Sequence, residues 1–337
     1  MSDEAIDISA LQSLVTSVFE AARTSRENAE SVARALVQAE IDGQAGHGLS
    51  RVPSYTGQSL SGKVDGNATP SITFPKPGAA TVDAAHGFAY PAIDVIVRDL
   101  PAACRTNGIA AATISRSHHC GAAGLHVERM AEAGLVALFF ANTPKAMAPW
   151  GGRSPLFGTN PIAFAAPRRD GSPIVIDMAL SEVARGKILT AAQKGEPIPE
   201  GWAVDAEGRP TTDAQAALAG TLMPIGGAKG AALALMVELL AVTLGGANFA
   251  TEATSFFDAE GNPPGVGQLM ITIDPSAFAG QERVLDRIET LAQAFANNGD
   301  ARLPGSTRRW RRQEAHVHGV KVAASVLADL RTRASGT

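Results

Sequence analysis

The chain has 337 residues, of which 45% are hydrophobic and 18% are charged, a composition typical of globular proteins. Its formal net charge is −4, so no broad basic field would attract nucleic acid. Two cysteines are too few for the disulfide framework of a small secreted protein.

The sequence also shows no targeting or membrane segment. The first ten residues are acidic and lack the basic and apolar regions of a signal peptide. The longest apolar run, 231–237, ends at Glu238, far short of the roughly 18–20 apolar residues of a membrane helix. We therefore expect a cytoplasmic protein that binds neither membranes nor nucleic acid.

Two amphipathic helices are predicted at the start of the chain. Apolar residues follow helical spacing over residues 8–22 and again over residues 29–37. Thr24 and Glu27 have the spacing of a capping box, which would begin the second helix there. A glycine-rich stretch predicts the end of this helix near Asp42.

From about residue 68 the pattern becomes mixed α/β, with glycine and proline at the joints. The predicted strands cover residues 80–82, 109–114, 135–141, 162–165, 174–176 and 270–273, and the predicted helices cover residues 89–105, 122–133 and 229–244. The tail is helical from residue 282, breaks at 304–305 and ends with a helix near 320–330. These patterns predict an α+β fold in which a helical domain, residues 1–66 plus 282–337, receives an inserted mixed α/β domain, residues 67–281.

A histidine in a glycine-rich turn follows the second helix. His47 titrates near neutral pH and suits proton transfer to a carbonyl or imine, whereas Arg51 offers a planar fork for a carboxylate. Together they suit the reduction of a 2-oxo or 2-imino acid. On spacing alone, however, the simpler interpretation is that both residues cap a helix end.

A second candidate turn runs from Ser117 to Gly124, between a predicted strand and a predicted helix. Small residues at a helix N-terminus bind phosphate readily, and a histidine there could stack on a nicotinamide or hold a substrate oxygen. Two alternatives stay open. His118 and His119 could be surface residues of an ordinary turn, or they could bind zinc, although no third ligand is evident.

Four further segments place polar groups at turns or element ends. Thr159 and Asn160 lie in a tight turn, Asp177 ends a strand, Lys229 begins a helix after two glycines, and residues 302–309 have the composition of a phosphate-binding loop. Each segment also has an ordinary structural interpretation as a turn, a strand-end cap or a solvated basic group. Walker A, nucleophile-elbow and complete Rossmann signatures are absent from the sequence.

The order of these segments resembles the malate/L-lactate dehydrogenase family of the second type. That family also includes sulfolactate and ureidoglycolate dehydrogenases and reductases of cyclic imino acids, such as Δ1-pyrroline-2-carboxylate and Δ1-piperideine-2-carboxylate. The matching segments are DGQAGHGLSRVPSY (42–55), SHHCGAAGLHVERMAEAGLV (117–136), PWGG (149–152), FGTNPIAF (157–164), VIDMALSEVARGK (175–187), GWAVDAEGRPTTD (201–213), PIGGAKG (224–230) and RLPGSTRR (302–309). They span most of the chain in the family's order.

The resemblance implies a non-Rossmann dinucleotide-binding fold, a mixed α/β cofactor-binding domain within a helical domain, and a homodimer. It implies that His47 is the acid/base, that Arg51 binds the substrate carboxylate, and that His118, His119 and Thr159 lie at the substrate. The implied cofactor-binding residues are Cys120, Gly121, Ala122, Ala123, Gly124, Asp177, Met178, Ala179, Ala228, Lys229, Leu303, Pro304, Gly305, Ser306, Thr307, Arg308 and Arg309.

Two positions depart from the pattern of the imino-acid reductases. Those enzymes typically carry a serine before the histidine and an acidic residue in the stretch matched by 185–187, where this sequence has Gly46 and Lys187. A lysine near the site would attract an anionic substrate and lower the pKa of His47, so Lys187 joins the substrate-binding candidates. These departures favour a 2-oxo acid with a second anionic group over an imino acid.

The sequence thus predicts an enzyme that uses NAD or NADP to move a hydride between nicotinamide C4 and C2 of a 2-oxo or 2-hydroxy acid of the malate, lactate or sulfolactate type. Reduction of a cyclic 2-imino acid is the alternative. Arg308 and Arg309 could reach a 2′-phosphate, which favours NADP. No metal is expected, but two other classes stay open: a metal-dependent hydrolase or lyase built on His118 and His119, and a non-catalytic nucleotide-binding protein.

Overall fold

The structure is a computed structural model that describes residues 3–169 and 171–336. The elements follow one another as β1 (Asp3–Ile6), α1 (Ile8–Ala21), α2 (Arg26–Ile41), α3 (Val52–Ser61), β2 (Ser71–Lys76), β3 (Ala79–Asp83), α4 (Ala89–Asn107), β4 (Ile109–Ser117), α5 (Gly124–Glu132), β5 (Val136–Ala141), β6 (Ile162–Ala166), β7 (Ile174–Met178), α6 (Arg185–Lys194), β8 (Ala203–Val204), α7 (Ala214–Ala219), β9 (Thr221–Leu222), α8 (Ala228–Val237), β10 (Val266–Ile273), α9 (Gln281–Ala296), α10 (Ser306–His318), β11 (Val320–Ala323) and α11 (Ala324–Ala334). Two 3₁₀ turns, Ala45–His47 and Leu49–Arg51, join α2 to α3, and a π-helical segment, Glu238–Thr243, continues α8.

A seven-stranded mixed sheet forms the centre of the molecule, in the order β2-β3-β4-β10-β5-β6-β7. Only the β3–β4 pair is parallel. Successive residues of β10 point to opposite faces, so Met270 enters one apolar core with α4 and α5 while Leu269 enters another with α8. Because both faces of the sheet are covered, β10 is apolar on both sides.

The two ends of the chain share a separate core. Leu11 and Phe19 of α1 pack with Leu36 of α2 and with Leu327 of α11. Next to them β1 pairs with β11 in antiparallel register, with Ile6 opposite Val320. The sequence expectation of an α+β fold with helices from both chain ends is confirmed, whereas the domain boundaries stay a prediction.

Three local predictions differ from the structure. The cap of α2 is Ser25, whose hydroxyl accepts from the amide of Asn28 at 3.4 Å, whereas Thr24 contacts the hydroxyl of Ser59 at 3.2 Å. Residues 320–330 begin as a strand, because the pairing with β1 is a long-range contact that local periodicity does not show. The stretch from residue 306, interpreted as a loop, is the helix α10.

None of the helices in the described residues combines the length and the apolar character that crossing a membrane requires.

Candidate active site

Two consecutive 3₁₀ turns bring His47 and Arg51 to one end of α3. The amide of His47 donates to the carbonyl of Gln44 at 2.7 Å, and the amide of Arg51 donates to the carbonyl of Gly48 at 3.0 Å. Glu40 of α2 fixes the turn, because its carboxylate accepts from the amide of Leu49 at 2.9 Å. A Cβ on Gly48 would overlap this carboxylate, so the turn needs glycine there.

His47 is a neutral imidazole in this environment. Burial lowers its pKa to about 4, the positive charge of Arg51 acts in the same direction, and the carboxylate of Asp177 opposes both. Its Nδ1 is buried and has no hydrogen-bond partner among the described residues. The neutral ring therefore has an unpartnered nitrogen, and a nearby anion would raise its pKa and make it a stronger base.

Arg51 presents an open fork. Its Nε donates to the carbonyl of Gly46 at 2.6 Å, and its guanidinium lies 4.8 Å from the ring centroid of Phe257. Its two terminal nitrogens hydrogen-bond to no residue within 3–169 or 171–336. Because they remain available side by side, they can bind a carboxylate in the bidentate manner typical of arginine.

His119 stacks against His47, with ring centroids 5.3 Å apart and planes at 25°. Its Nδ1 lies 2.5 Å from the hydroxyl of Tyr55. Burial raises the pKa of Tyr55 to about 12, so the phenol keeps its proton and can donate it to this nitrogen. A His119 that accepts at Nδ1 carries its own hydrogen at Nε2.

His118 is buried more deeply than His119. Its Nε2 lies 2.7 Å from Oε1 of Gln58, whose amide nitrogen donates to the carbonyl of Phe256 at 2.8 Å. Burial lowers the pKa of His118 to about 3. The two histidines are 1% and 7% exposed, so the interpretation as surface residues is wrong.

Three of the four predicted cofactor segments converge beside His47. The amide of Gly124, which begins α5, donates to Oδ2 of Asp177 at 2.9 Å, and Nη2 of Arg308 lies 3.6 Å from the same oxygen. The side-chain amide of Gln44 donates to that oxygen at 3.4 Å. Residues 120–124, the end of β7 and the start of α10 therefore form one wall, which we call the Asp177 cradle.

The Asp177 cradle offers unpartnered polar atoms to a ligand. Nη1 of Arg308 and Oε1 of Gln44 are both buried without a partner among the described residues, so a donor and an acceptor lie beside the carboxylate ready for a polar ligand. A Cβ on Gly124 would lie 2.7 Å from Nη1 of Arg308, so a side chain there would fill the space. One expectation needs correction: the Gly124 amide binds Asp177 and is not free for a phosphate.

Arg308 and Arg309 face different surroundings because neighbouring residues of a helix point about 100° apart. Arg308 lies in the Asp177 cradle. Arg309 is exposed beside the turn after β6, where a Cβ on Gly171 would lie 3.3 Å from its Nη1. The two arginines therefore do not act as one pair.

Among the described residues, no hydrogen bond or ion pair joins Thr159, Lys187, Ala228 or Lys229 to His47, Arg51 or the Asp177 cradle. The hydroxyl of Thr159 contacts the hydroxyl of Thr143 at 3.3 Å. Lys187 is exposed in the first turn of α6, and it is not among the groups that shift the pKa of His47. Ala228 and Lys229 are exposed at the start of α8.

Five residues of the site were not predicted from the sequence: Gln44, Tyr55, Gln58, Phe256 and Phe257. Helical spacing from Arg51 to Tyr55 was a usable signal, because residues four apart share a helix face. The two phenylalanines come from a loop some two hundred residues away along the chain and carried no signal.

No three His, Cys, Asp or Glu side chains in the described part of the chain are grouped so that they could hold a metal ion. A zinc site at His118 and His119 therefore lacks a third ligand.

Known proteins resemble this chain over nearly its whole length. The family model for malate/L-lactate dehydrogenase matches residues 6–331. A (2R)-3-sulfolactate dehydrogenase (NADP(+)) of Chromohalobacter salexigens is 49% identical over 98% of this chain and 98% of its own length. A Delta(1)-pyrroline-2-carboxylate/Delta(1)-piperideine-2-carboxylate reductase of Pseudomonas putida is 44% identical over 95% of this chain and 94% of its own.

Solved structures agree with this relationship. The delta1-piperideine-2-carboxylate reductase of Pseudomonas syringae superposes with a TM-score of 0.93 at 39% identity, covering 98% of this chain and 99% of that one. The sulfolactate dehydrogenase of Methanocaldococcus jannaschii gives a TM-score of 0.89 at 28% identity, covering 98% and 97%. The predicted non-Rossmann fold is thereby confirmed. The chain is an oxidoreductase that belongs to the malate/L-lactate dehydrogenase family.

Proposed function

We propose that this NAD(P)-dependent oxidoreductase transfers a hydride between nicotinamide C4 and C2 of a small 2-oxo or 2-hydroxy acid. The observation that carries the proposal is the open fork of Arg51 beside the half-buried, neutral His47, with the Asp177 cradle next to both. The reaction needs three parts: a group that binds the carboxylate, a group that transfers a proton, and a surface that binds the dinucleotide.

The chain's residues divide the work as follows. The terminal nitrogens of Arg51 bind the substrate carboxylate and so fix the position of C2. The residues of the Asp177 cradle, Gly124, Asp177 and Arg308, would hold the dinucleotide, whose nicotinamide supplies or accepts the hydride when bound. His47 donates a proton to the substrate oxygen in reduction and accepts one in oxidation.

Electrostatics couple substrate binding to proton transfer. Arg51 lowers the pKa of the free enzyme's His47, next to the larger effect of burial. A bound carboxylate offsets that positive charge, so the pKa of His47 rises when the acid is in place. A larger fraction of the imidazole therefore carries a proton in the complex than in the free enzyme, which is the form that reduction requires.

The favoured substrate is a 2-oxo acid of the sulfolactate, malate or lactate type. The relative that is 49% identical is named a sulfolactate dehydrogenase, and Gly46 and Lys187 replace the relay residues typical of imino-acid reductases. The second candidate is a cyclic 2-imino acid. The Pseudomonas relatives carry that activity in their names, and the space around Gly46 is open.

The experiment is NADPH and NADH oxidation with pyruvate, oxaloacetate, sulfopyruvate and Δ1-pyrroline-2-carboxylate. His47→Ala should lower kcat on the preferred acid by on the order of 10²–10⁴-fold while cofactor binding persists. His318→Ala is the matched control, because that side chain is 63% exposed on α10. Near-normal turnover by His47→Ala would contradict the role of His47, and inactivity across the panel would contradict the proposal as a whole.

NADP is the preferred cofactor in this proposal. The sulfolactate relative is named for NADP(+), and Arg308 offers a buried guanidinium nitrogen without a partner among the described residues. Titration of both reduced cofactors, followed by nicotinamide fluorescence, should give tighter binding of NADPH. Equal affinities would remove the preference.

We further propose that the enzyme is a cytoplasmic homodimer. Leu235, Leu239 and Leu244 are 48%, 52% and 64% exposed along α8 and the π-helical segment, a row of apolar side chains that a second copy would cover. Sedimentation should give a dimer for the wild type and a monomer for Leu239→Asp. Leu291→Asp on α9, where the side chain is 58% exposed, is the control and should stay dimeric.

A further inference from the structure

The loop between the π-helical segment and β10, residues 244–265, is tied to α3 by a buried lysine. Nζ of Lys63 donates to the carbonyl of Ser255 at 2.8 Å, to the carbonyl of Asp258 at 3.2 Å and to the carboxylate of Asp258 at 3.0 Å. The Lys63 side chain is 0% exposed. All three of its donors are thus used to hold the loop in place.

The base of the loop is closed as well. The amide of Asn248 donates to the carbonyl of Gly265 at 2.9 Å, and its side chain donates to the carbonyl of Pro264 at 3.0 Å. Asn142, which follows β5, donates to the carbonyl of Asn248 at 3.0 Å. A loop held at its base and at its tip presents its side chains in fixed positions.

Two neighbouring phenylalanines at the tip face the catalytic groups. Phe256 packs against both His118 and His119, with ring centroids 5.2 Å and 5.0 Å away. Phe257 lies under the guanidinium of Arg51 and is 60% exposed. A large exposed aromatic ring gains little from hydrophobic burial in the chain itself, so its contact with Arg51 is the interaction that distinguishes it.

We infer that Phe257 is a positioning residue that holds the Arg51 guanidinium in the orientation that binds the substrate carboxylate. Two contacts restrain the group: Nε donates a hydrogen bond to the carbonyl of Gly46, and Cζ lies over the ring of Phe257, 4.8 Å from its centroid. The Phe257 ring occupies none of the hydrogen-bond donors of Arg51, so both terminal nitrogens stay available for a carboxylate. The inference rests on the proposed function, since it assigns Arg51 a carboxylate.

The test compares Phe257→Ala, Phe257→Tyr and Phe278→Ala. Phe278 is a matched control, because it is 65% exposed and lies after β10, outside the site. The measurement is the Kd of each acid of the panel above in the presence of NADP+, which prevents reduction during the titration. Loss of the cation–π contact should raise the Kd of the bound acid about five-fold, tyrosine should restore most of it, and Phe278→Ala should leave it unchanged.

Steady-state kinetics of the same variants are the second measurement. Phe257→Ala should raise KM for the acid, with kcat and KM for NADPH within about two-fold of the wild type. The pKa in the kcat/KM profile should also move up, because a displaced Arg51 no longer lowers the pKa of His47. An unchanged Kd in Phe257→Ala, or an equal change in Phe278→Ala, overturns the inference.

The two proposals fail differently. If an acid binds and NADPH is not oxidised, the proposed function is wrong while the Kd series still measures the effect of Phe257 on Arg51. If no acid binds to the wild type, both are wrong.

Discussion

The pKa of His47 makes the direction of catalysis sensitive to pH. Reduction uses the protonated imidazole, so its rate should fall as pH rises through the pKa, and oxidation, which uses the neutral ring, should fall as pH drops through it. The kcat/KM profile reports the free enzyme, where that pKa is about 4. The kcat profile reports the complex and should give a higher apparent pKa, because the bound carboxylate offsets Arg51. Identical values in the two profiles would contradict the coupling.

The hydroxyl of Tyr55 fixes which nitrogen of His119 carries hydrogen. Tyr55→Phe removes the 2.5 Å contact to Nδ1 and should lower kcat/KM by about two- to ten-fold, the range of one ordinary hydrogen bond. Tyr90→Phe is the control, because the Tyr90 hydroxyl lies 3.4 Å from that of Tyr55 and does not touch His119. Nitrogen chemical shifts of labelled histidine should show the Nε2–H form in the wild type and a mixture in Tyr55→Phe. Equal effects of both substitutions would remove the tautomer argument.

Sequence reasoning found the residues whose chemistry is visible in isolation. His47 and Arg51 lie four positions apart in one turn, so their proximity follows from local geometry. Phe257 meets Arg51 only because the loop before β10, distant in the chain, packs against the segment around α3, and no local spacing encodes such a contact. Lys187 was predicted at the substrate from its place in a motif; it is exposed on α6, and its role stays a prediction.

The first turn of α5 should be sensitive to one methyl group. Alanine normally stabilises a helix relative to glycine by about 1 kcal/mol. In Gly124→Ala, however, the new Cβ would lie 2.7 Å from Nη1 of Arg308 and 3.0 Å from Oδ2 of Asp177. We expect NADPH affinity to fall on the order of ten-fold without loss of thermal stability.

Gly186→Ala on α6 is the matched control for that variant, because a Cβ there meets nothing within 4 Å. It should leave NADPH affinity unchanged. Wild-type affinity in Gly124→Ala would show that the Asp177 cradle does not hold the cofactor.

At the scale of whole elements, prediction succeeded where periodicity is local. The helices over 89–105 and 122–133 and six strands of the central sheet were identified to within a few residues, because their apolar residues repeat along the chain, whereas the exposed edge strand β2 was missed. Pairings between distant segments were not predicted. Strands β1 and β11 are short, and each is a strand only because it pairs with the other. The helix α10 was missed because its residues are mostly charged or polar and Ala315 is its one buried residue, so few apolar residues mark its inner face.

The whole molecule should lose stability in mild acid. Burial lowers the pKa of five histidines: to about 4 for His47 and His126, to about 3 for His118, well below the usual value for His119, and below the usual value for His86. An unfolded chain binds protons at these residues as pH drops below about 6.5, whereas the folded protein does not until much lower pH. The stability that they contribute is therefore complete above pH 6.5 and declines as pH falls toward 4.

Urea unfolding at pH 7 and pH 5 measures this effect. The free energy of unfolding should be lower at pH 5, and His318→Gln, which changes an exposed histidine, should show the same decline. A free energy of unfolding that is equal at the two pH values would mean that these imidazoles are not desolvated as the structure has them.

The position of β10 governs how the protein can be made. This strand lies between β4 and β5, yet it follows them by more than a hundred residues in the chain. During translation β4 and β5 leave the ribosome long before β10, which lies between them. Until β10 emerges, each of the two strands has an unpaired edge. We expect the nascent chain to depend on chaperones over that interval, and the central sheet to close only once residue 273 has emerged.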